Sequence, residues 1–378
     1  MSRTRRVLSV LLVVVLVPLA LLWYFFGGRQ RLEDRTTAPL LGKAALERVA
    51  DLDYPPGNVA VSGDGRVFFT YHPQASPPVQ LAELVGGKPV PYPSAEFQKK
   101  DPLRFQSALA VRIDRQNRLW VLDHAHLGWG QPRILAFDLA TGKLVHHYDF
   151  PREVARFPSM LNDFQVDPEG KTIYISESSP LLQTPALVVY DSVGQRSRRL
   201  LHSHRSVDPK PFIINAQGRD MVILGFFAFK IGVDSIALDQ RGEWLYYGAL
   251  SGDRMYRIRT RDLNDPSLGP YALAARVEDY ALKPLSDGLS IDVRDNVYVT
   301  DVEQSAILSL GPDRGLKTLV KDDRLRWPDG LGFGPDGWLY VTCSALHQVI
   351  FQNQDTVRSH APYQIFRFKP GVEGVPGH

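Results

Sequence analysis

Cysteine is almost absent from this chain of 378 residues, in which Cys343 is the single thiol. One thiol cannot form an intramolecular disulfide, so the sequence excludes a small secreted module held together by disulfide bridges. An excess of one charge is also missing, because 44 lysines and arginines nearly balance 41 aspartates and glutamates. No basic run is interleaved with aromatic residues, so the composition does not indicate a nucleic-acid partner.

The N-terminal segment carries the longest uncharged run, because Val7–Phe26 follows Arg3, Arg5 and Arg6 without a charge. A helix of about 20 apolar residues is long enough to cross the hydrocarbon core of a bilayer. We predict an uncleaved signal anchor that exports the rest of the chain to the periplasm or the extracellular space. In this interpretation the membrane is contacted through the N-terminal helix only. The alternative is a cleaved signal peptide.

A hairpin signature recurs six times along the chain, and Ser286–Asp301 is its clearest copy. Each copy has an apolar strand, a turn rich in Asp, Gly and Asn, and a second strand of β-branched and aromatic residues. The turn residues of the six copies are Gly65, Asn117, Gly170, Gly242, Asn296 and Gly337. Their spacings of 52, 53, 72, 54 and 41 residues are typical of radially arranged four-stranded blades. We predict an all-β fold, a six-bladed β-propeller.

The repeats also predict the domain organisation. The expected segments are a signal anchor or signal peptide at 1–27, a linker at 28–45, the propeller at 46–370 and a tail at 371–378. The strand Leu46–Leu52 has no preceding blade, so we expect it to complete the last blade beside Tyr363–Phe368 and remove two exposed sheet edges. The longest spacing contains an insertion, His202–Lys230. We expect this insertion to pack onto a rim rather than to act as a lid.

Polar side chains occupy one shared position in four repeats, five residues before the same point of the turn. They are Asn162, Asp234, Asp287 and Asp329. All inner strands of a propeller begin at one mouth of the central channel, so these groups should converge there. Carboxylates held close together raise one another's pKa, as an acid–base pair requires. We predict Asp234 and Asp287 as catalytic residues, and Asn162 and Asp329 as ligand-binding residues.

Further polar groups lie beside this ring or at the ends of second strands. The additional predicted ligand-binding residues are Asp163, Glu177, Asp301 and His124. A ring of oxygen ligands also suits Ca²⁺, Mg²⁺ or Mn²⁺, which we place at Asn162, Asp234 and Asp287. The alternative is structural, because polar groups in a channel must be hydrogen bonded whatever the function, and these side chains would then cap strands and bind water.

Several blade-specific segments resemble the major royal jelly protein/Yellow family. They are Leu119–Asp123 with Pro132–Leu139, Leu161–Asp163 with Ile173–Glu177 and Leu187–Asp191, Gly232–Leu238 with Leu245–Leu250 and Met255–Arg257, and Ser286–Gly288. The likeness extends from about Leu46 to Phe368. It implies an exported six-bladed propeller. Some insect members of this family are dopachrome-converting isomerases, and others are ligand-binding or nutrient proteins.

A more distant likeness is to gluconolactonase/regucalcin-type propellers, which hold a divalent metal through a glutamate, two asparagines and an aspartate. Asn162 matches one asparagine, Asp234 stands at the second, and Asp287 matches the aspartate. The glutamate is missing, because Pro56–Asn58 occupies its place. Three functions therefore remain open: a Yellow-like protein that binds or converts a small aromatic or quinonoid molecule, a metal-dependent lactonase-type hydrolase, and a non-enzymatic envelope binding protein. The sequence leaves the oligomeric state open.

Overall fold

The computed structural model describes residues 3–27, 30–223 and 227–378. Its first element is helix α1 (Arg3–Phe26), which contains Pro18. The predicted membrane segment lies partly outside the described side chains, since those of 7–11 and 24–26 are not included. Among the residues that are described, no helix has the length and apolarity needed to cross a bilayer.

The remaining helices are short and lie in connections between strands. The α-helices are α2 (Ala95–Lys100), α3 (Ala125–Gly128), α4 (Thr260–Asn264), α5 (Pro270–Ala274) and α6 (Gln354–Ser359), and single 3₁₀ turns lie at Lys43–Ala45, Pro73–Ala75, Pro335–Gly337 and Leu346–Gln348. Segment α3 is a tight turn rather than a true helix, because His126 and Leu127 both have positive φ.

Strands are the main regular elements of the described chain. In order they are β1 (Glu47–Leu52), β2 (Pro56–Val61), β3 (Val67–Tyr71), β4 (Leu81–Val85), β5 (Lys88–Pro91), β6 (Ala108–Ile113), β7 (Arg118–Asp123), β8 (Arg133–Asp138), β9 (Leu144–Asp149), β10 (Leu161–Val166), β11 (Thr172–Glu177), β12 (Ala186–Asp191), β13 (Arg196–Leu200), β14 (Asn215–Ala216), β15 (Arg219–Asp220), β16 (Val222–Ile223), β17 (Phe227–Ala228), β18 (Val233–Leu238), β19 (Trp244–Ala249), β20 (Arg254–Arg259), β21 (Glu278–Leu282), β22 (Leu289–Ile291), β23 (Val297–Asp301), β24 (Ala306–Leu310), β25 (Leu316–Lys321), β26 (Pro328–Phe333), β27 (Leu339–Cys343) and β28 (Tyr363–Phe368).

These strands form six four-stranded sheets, so the predicted number of blades is confirmed. The first five blades use consecutive strands, namely β2–β5, β6–β9, β10–β13, β18–β21 and β22–β25. The sixth has the order β1-β28-β27-β26, in which Glu47 pairs with Arg367 and Leu52 with Tyr363. The predicted closure is therefore confirmed, and it removes the two free edges that an open ring of blades would expose.

The hydrophobic core lies between neighbouring blades. Leu81 and Phe68 of the first blade pack against Val111, Val121 and Leu135 of the second, and all are buried. Alternate residues of each strand face one of the two adjacent blades, which explains why the inner strands have no exposed side. Every residue of β2, β6, β10 and β18 is buried.

Five of the six predicted turn residues adopt the left-handed backbone conformation expected of a tight hairpin turn. They are Gly65, Asn117, Gly170, Gly242 and Gly337. In the fifth blade this conformation belongs to Asp295 (φ 62°) instead of Asn296. Asp292 accepts the backbone N–H groups of Arg294 (2.8 Å) and Asn296 (3.0 Å), just as Asp114 accepts those two and four residues on in the second blade. The left-handed residue lies three positions after the aspartate in both turns, so the prediction of Asn296 was one residue too late.

The insertion between β13 and β18 forms two small hairpins, β14–β15 and β16–β17. It packs onto a rim, as predicted, but it also crosses the mouth end of the channel. The N–H of Asn215 donates to Glu303 in the fifth blade (2.7 Å), and Gln217 donates to the carbonyl of Asp323 in the sixth (2.8 Å). Ile214 and Met221 share one apolar cluster with residues from the sixth blade. The insertion also contains an aromatic run, 226–229, whose first residue, Phe226, lies outside the described residues.

The C-terminal tail crosses the opposite end of the channel, where the hairpin turns lie. The N–H of Gly377 donates to the carbonyl of Phe333 (2.9 Å), and the N–H of Ile113 donates to the carbonyl of Gly377 (3.0 Å). The imidazole of His378 lies 3.0 Å from the Oε1 atom of Gln165. The tail thus joins the second, third and sixth blades across the turn face.

Candidate functional site

The predicted ring residues lie where the inner strands are irregular. Five inner strands change register near the mouth, between Pro56 and Val59, Ala108 and Ala110, Leu161 and Phe164, Val233 and Ser235, and Pro328 and Leu331. A β-bulge of this kind redirects a side chain from the sheet face. The irregular segments contain Asn58, Asn162, Asp163, Asp234 and Asp329, and Asp287 lies just before β22.

A hydroxyl at one position of the second strand holds these irregular segments in place. The residues are Thr70, Ser176, Thr300 and Thr342. In the sixth blade the hydroxyl of Thr342 accepts the N–H of Gly330 (2.9 Å) and donates to the carbonyl of Gly57 in the first blade. Ser176 links Asp163 to Asp234 in the same way. Sequence reasoning missed these residues, although a Ser or Thr at the same register of four second strands was the available signal.

The carboxyl groups of Asp234 and Asp287 are neighbours in the ring, close enough for a hydrogen bond between them when one is protonated. Their side chains are almost inaccessible, with residue exposures of 4% and 8%. Burial raises the pKa of Asp287 to about 6, although its hydrogen bond from Trp327 acts in the opposite direction. Burial and the negative charges of Asp287 and Asp329 raise the pKa of Asp234 well above its usual value. Each carboxylate opposes the ionisation of the other, which drives their two pKa values apart and lets the pair supply both an acid and a base.

Each member of the pair is held by a neutral donor. The Asn162 amide donates from Nδ2 to Oδ1 of Asp234, and the Trp327 indole donates from Nε1 to Oδ2 of Asp287 at 2.5 Å. Trp327 is fully buried and precedes β26, a position that the repeat pattern did not mark. These bonds fix the orientation of both carboxyl groups without adding a charge.

A buried ion pair completes the opposite side of the ring. Arg112 donates from Nη2 to Oδ2 of Asp163 at 2.9 Å and from Nη1 to the amide oxygen of Asn58. Burial raises the pKa of Asp163 even though the charge of Arg112 lowers it. Asp329 is partly exposed, and burial together with the charge of Asp287 raises its pKa. The structure therefore brings together all five predicted first-strand residues and adds Arg112.

The predicted residues at the ends of the second strands have separate local contacts. Glu177 forms an ion pair with Arg199 and lines a rim cleft of about 400 Å³. Asp301 accepts the N–H groups of Glu303 and Gln304 at 3.1 and 3.0 Å. The Nδ1 atom of His124 accepts the N–H of Leu127 at 3.0 Å. Second strands lie one inter-strand spacing, about 5 Å, farther from the channel axis, which separates these groups from the ring. Their ligand-binding role stays a prediction.

The predicted cation site can be tested against the donors that are present. Within the described part of the chain, no three His, Cys, Asp or Glu side chains are grouped as metal ligands. Asn162 directs its N–H, rather than its amide oxygen, towards Asp234. Burial lowers the pKa of Lys283 to about 7, and its charge interacts with Asp253 first and then with Asp234 and Asp287. Asn162, Asp234 and Asp287 therefore do not fit a divalent cation, which requires converging oxygen ligands.

Comparison with known proteins identifies sequence relatives over most of the propeller. The family model described as major royal jelly protein matches residues 106–366. Major royal jelly protein 3 of Apis mellifera is 27% identical over 188 residues, which are 47% of this chain and 33% of that protein. Major royal jelly protein 2 of the same species is 23% identical over 229 residues, or 57% and 48% of the two chains. The matched segments thus span less than half the length of these relatives.

Solved structures show the same fold at much lower identity. A calcium-binding protein, regucalcin, from Agrobacterium tumefaciens superposes with a TM-score of 0.55 at 14% identity, covering 91% of this chain and 98% of that one. A gluconolactonase from Xanthomonas campestris gives 0.52 at 12% identity, with coverages of 85% and 88%. At such identities the likeness supports the propeller architecture and leaves the chemistry to the site itself.

Proposed function

The chain belongs to the major royal jelly protein family, and on that premise we propose that its propeller binds a small organic molecule at the channel mouth and isomerises it by proton transfer. The Asp234–Asp287 pair is the observation that carries this proposal, since neighbouring buried carboxyls whose pKa values are driven apart supply an acid and a base at one point. The proposed substrate class is a small aromatic or quinonoid carbonyl compound, similar to dopachrome.

The proposed reaction needs no proton donor or acceptor other than the two carboxyl groups of the pair. The ionised carboxylate removes a proton from a carbon next to the substrate carbonyl, while the neutral carboxylic acid donates its proton to the carbonyl oxygen. The resulting enol or aromatic hydroxyl is the rearranged product, and the proton taken from carbon remains on the pair. Asn162 and Trp327 keep the two carboxyls oriented through this exchange.

The surroundings of the pair support an organic ligand. Arg112 already neutralises Asp163, so the nearby charge is balanced on that side of the ring. Asp329 is partly exposed and can accept a hydrogen bond from a ligand hydroxyl or amine. The apolar side chains of Ile214 and Met221 belong to the insertion that crosses the mouth. Both side chains are buried in that cluster, so the insertion covers the mouth with apolar groups.

The test uses the full-length chain in detergent with dopachrome, followed by the loss of its visible absorption. We expect Asp287→Asn to reduce turnover at least 100-fold, while Asp336→Asn, in an exposed turn, leaves it unchanged. Equal turnover by both variants would contradict the proposal. Ligand binding without turnover by the wild-type chain would favour a binding protein, and hydrolysis of gluconolactone would favour the lactonase alternative.

We also propose that the propeller is exported and tethered through its N-terminal segment. The support is the run Val7–Phe26 after Arg3, Arg5 and Arg6. Cell fractionation should recover the chain with membranes, and protease added to spheroplasts should digest the propeller. Recovery of the full-length chain in the cytosol would contradict export, whereas a mature N-terminus after residue 26 would contradict only the tether.

A further inference from the structure

One position in the fourth blade departs from the hydroxyl pattern of the second strands. Four blades place Ser or Thr there, whereas the fourth has Gly248, paired with Ser235 of the inner strand. A Cβ atom at Gly248 would lie 2.5 Å from Cε and 3.3 Å from Cδ of Lys283. The absence of a side chain at this position therefore leaves room for the stem of Lys283.

Lys283 follows β21, the outermost strand of the fourth blade, yet its side chain points inwards and has 0% exposure. Its ammonium donates to the carbonyls of Gly252 (2.8 Å) and Pro284 (3.1 Å). Both acceptors are neutral, so neither of these hydrogen bonds pairs the ammonium with a negative charge. Its charge interacts first with Asp253 and then with Asp234, Asp301 and Asp287, although burial lowers the pKa of Lys283 to about 7. The lysine lies at the ring because its stem contacts Gly248, which pairs with Ser235 next to Asp234.

The carboxyl groups of the ring repel one another when ionised, so a nearby positive charge stabilises them. Asp163 is paired with Arg112, whereas Asp234, Asp287 and Asp329 form no ion pair with any residue that the structure describes. Lys283 supplies positive charge to this side of the ring from within the protein. A divalent cation would supply the same compensation and would be repelled by the protonated form of the lysine nearby.

We propose that Lys283, whose stem fits in the space left by Gly248, provides the positive charge that balances the ring carboxylates. The site therefore selects an organic ligand over a divalent metal. The inference rests on the proposed function for the class of ligand, but it concerns selectivity. In propellers that bind a metal, the ion itself balances the carboxylates. In this chain a lysine occupies that electrostatic role, and the donor geometry around Asn162 agrees with it.

The test is calorimetric titration of the full-length chain in detergent with CaCl₂ alone. Lys283→Gln keeps N–H donors for the two carbonyls and removes the charge. We expect it to bind Ca²⁺ at least tenfold more tightly than the wild type, and we expect Asp287→Asn in the same background to abolish that binding. Lys210→Met is the matched control, because Lys210 also interacts with Asp253 but is far more exposed. It should bind Ca²⁺ as the wild type does.

A second variant tests the same prediction by changing Gly248, the other partner in the contact with Lys283. Gly248→Ser adds the hydroxyl found in other blades and occupies the space of the lysine stem. It should also gain Ca²⁺ binding, and it decides the question if Lys283→Gln does not fold. Equal Ca²⁺ affinity in the wild type and in the folded variants would overturn the inference. The titration needs no organic ligand, so a gain in Ca²⁺ binding with no dopachrome turnover would contradict the proposed function alone.

Discussion

Trp327 donates its indole N–H to Oδ2 of Asp287 at 2.5 Å, and Trp120 makes the same kind of bond to Oδ2 of Asp114 at 2.6 Å. Both indoles are fully buried. The first bond lies in the carboxyl ring, beside Asp234, whereas the second stabilises a hairpin turn at the other end of the second blade. The two bonds therefore allow a comparison between a donor in the proposed site and an equivalent structural donor.

Trp327→Phe should raise the pKa of Asp287 above about 6, because the lost hydrogen bond favours the ionised form of that carboxyl. A ¹³C NMR titration of the labelled carboxyl groups measures the shift. Turnover of dopachrome should then reach its half-maximal value at a higher pH. Trp120→Phe is the control and should leave the titration of Asp287 unchanged. An identical pH profile in both variants would argue against control of the pair by Trp327.

Asp287→Asn should stabilise the protein as the pH rises from about 4 to about 7. The folded pKa of Asp287 is about 6, above its ordinary value of 3.8, so the wild type loses stability across that window. Asparagine has no such loss, and it can still accept from Trp327 and donate to Asp234. The difference in unfolding free energy should grow by up to about 3 kcal/mol. Urea denaturation at several pH values measures it, and a pH-independent difference would contradict the raised pKa.

Thr342→Val should destabilise the closing contact between the sixth and first blades. The buried hydroxyl accepts the N–H of Gly330 and donates to the carbonyl of Gly57. Valine leaves both backbone groups unsatisfied, at a cost of about 1–3 kcal/mol. Thermal or urea unfolding measures the loss. Thr342→Ser keeps the hydroxyl and should retain most of the stability, so a serine variant as weak as the valine variant would contradict a dominant role for these two hydrogen bonds.

Arg199→Met should destabilise the third blade more strongly than a surface substitution does. Glu177 is 1% exposed, and its carboxylate would be left without its partner. Breaking a buried pair typically costs about 3–5 kcal/mol, and the partial exposure of Arg199 places this case towards the lower value. The double variant Glu177→Gln, Arg199→Met should recover much of the loss. Failure of the double variant to recover would show that the arginine stabilises through packing instead.

The architecture could be predicted from the sequence because one hairpin pattern specifies each blade. The pattern located the inner and second strands, and the unmatched Leu46–Leu52 strand indicated closure of the ring. It also aligned Asn162, Asp234, Asp287 and Asp329, because equal distance from a turn means equal height in the channel. Those side chains meet in the structure for this geometric reason.

The rest of the site could not be found in this way because its residues do not repeat. Arg112 lies near the end of inner strand β6, Trp327 precedes β26, and Lys283 follows an outer strand. Each reaches the ring through the particular packing of one blade. The path of the insertion across the mouth could not be predicted either, because it depends on long-range contacts such as that between Asn215 and Glu303.

The closing sheet has a consequence for the order of events during synthesis. Glu47 and Arg367 are ion-paired neighbours in this sheet although 320 residues separate them along the chain. Strand β1 emerges from the ribosome first and must wait for the last strand, β28, before it has a partner. Non-local pairing of this kind slows folding, and an unpaired strand can associate with other chains during that time. The sixth blade can therefore form only after synthesis is complete, and until then the unpaired strand β1 leaves the nascent chain prone to aggregation.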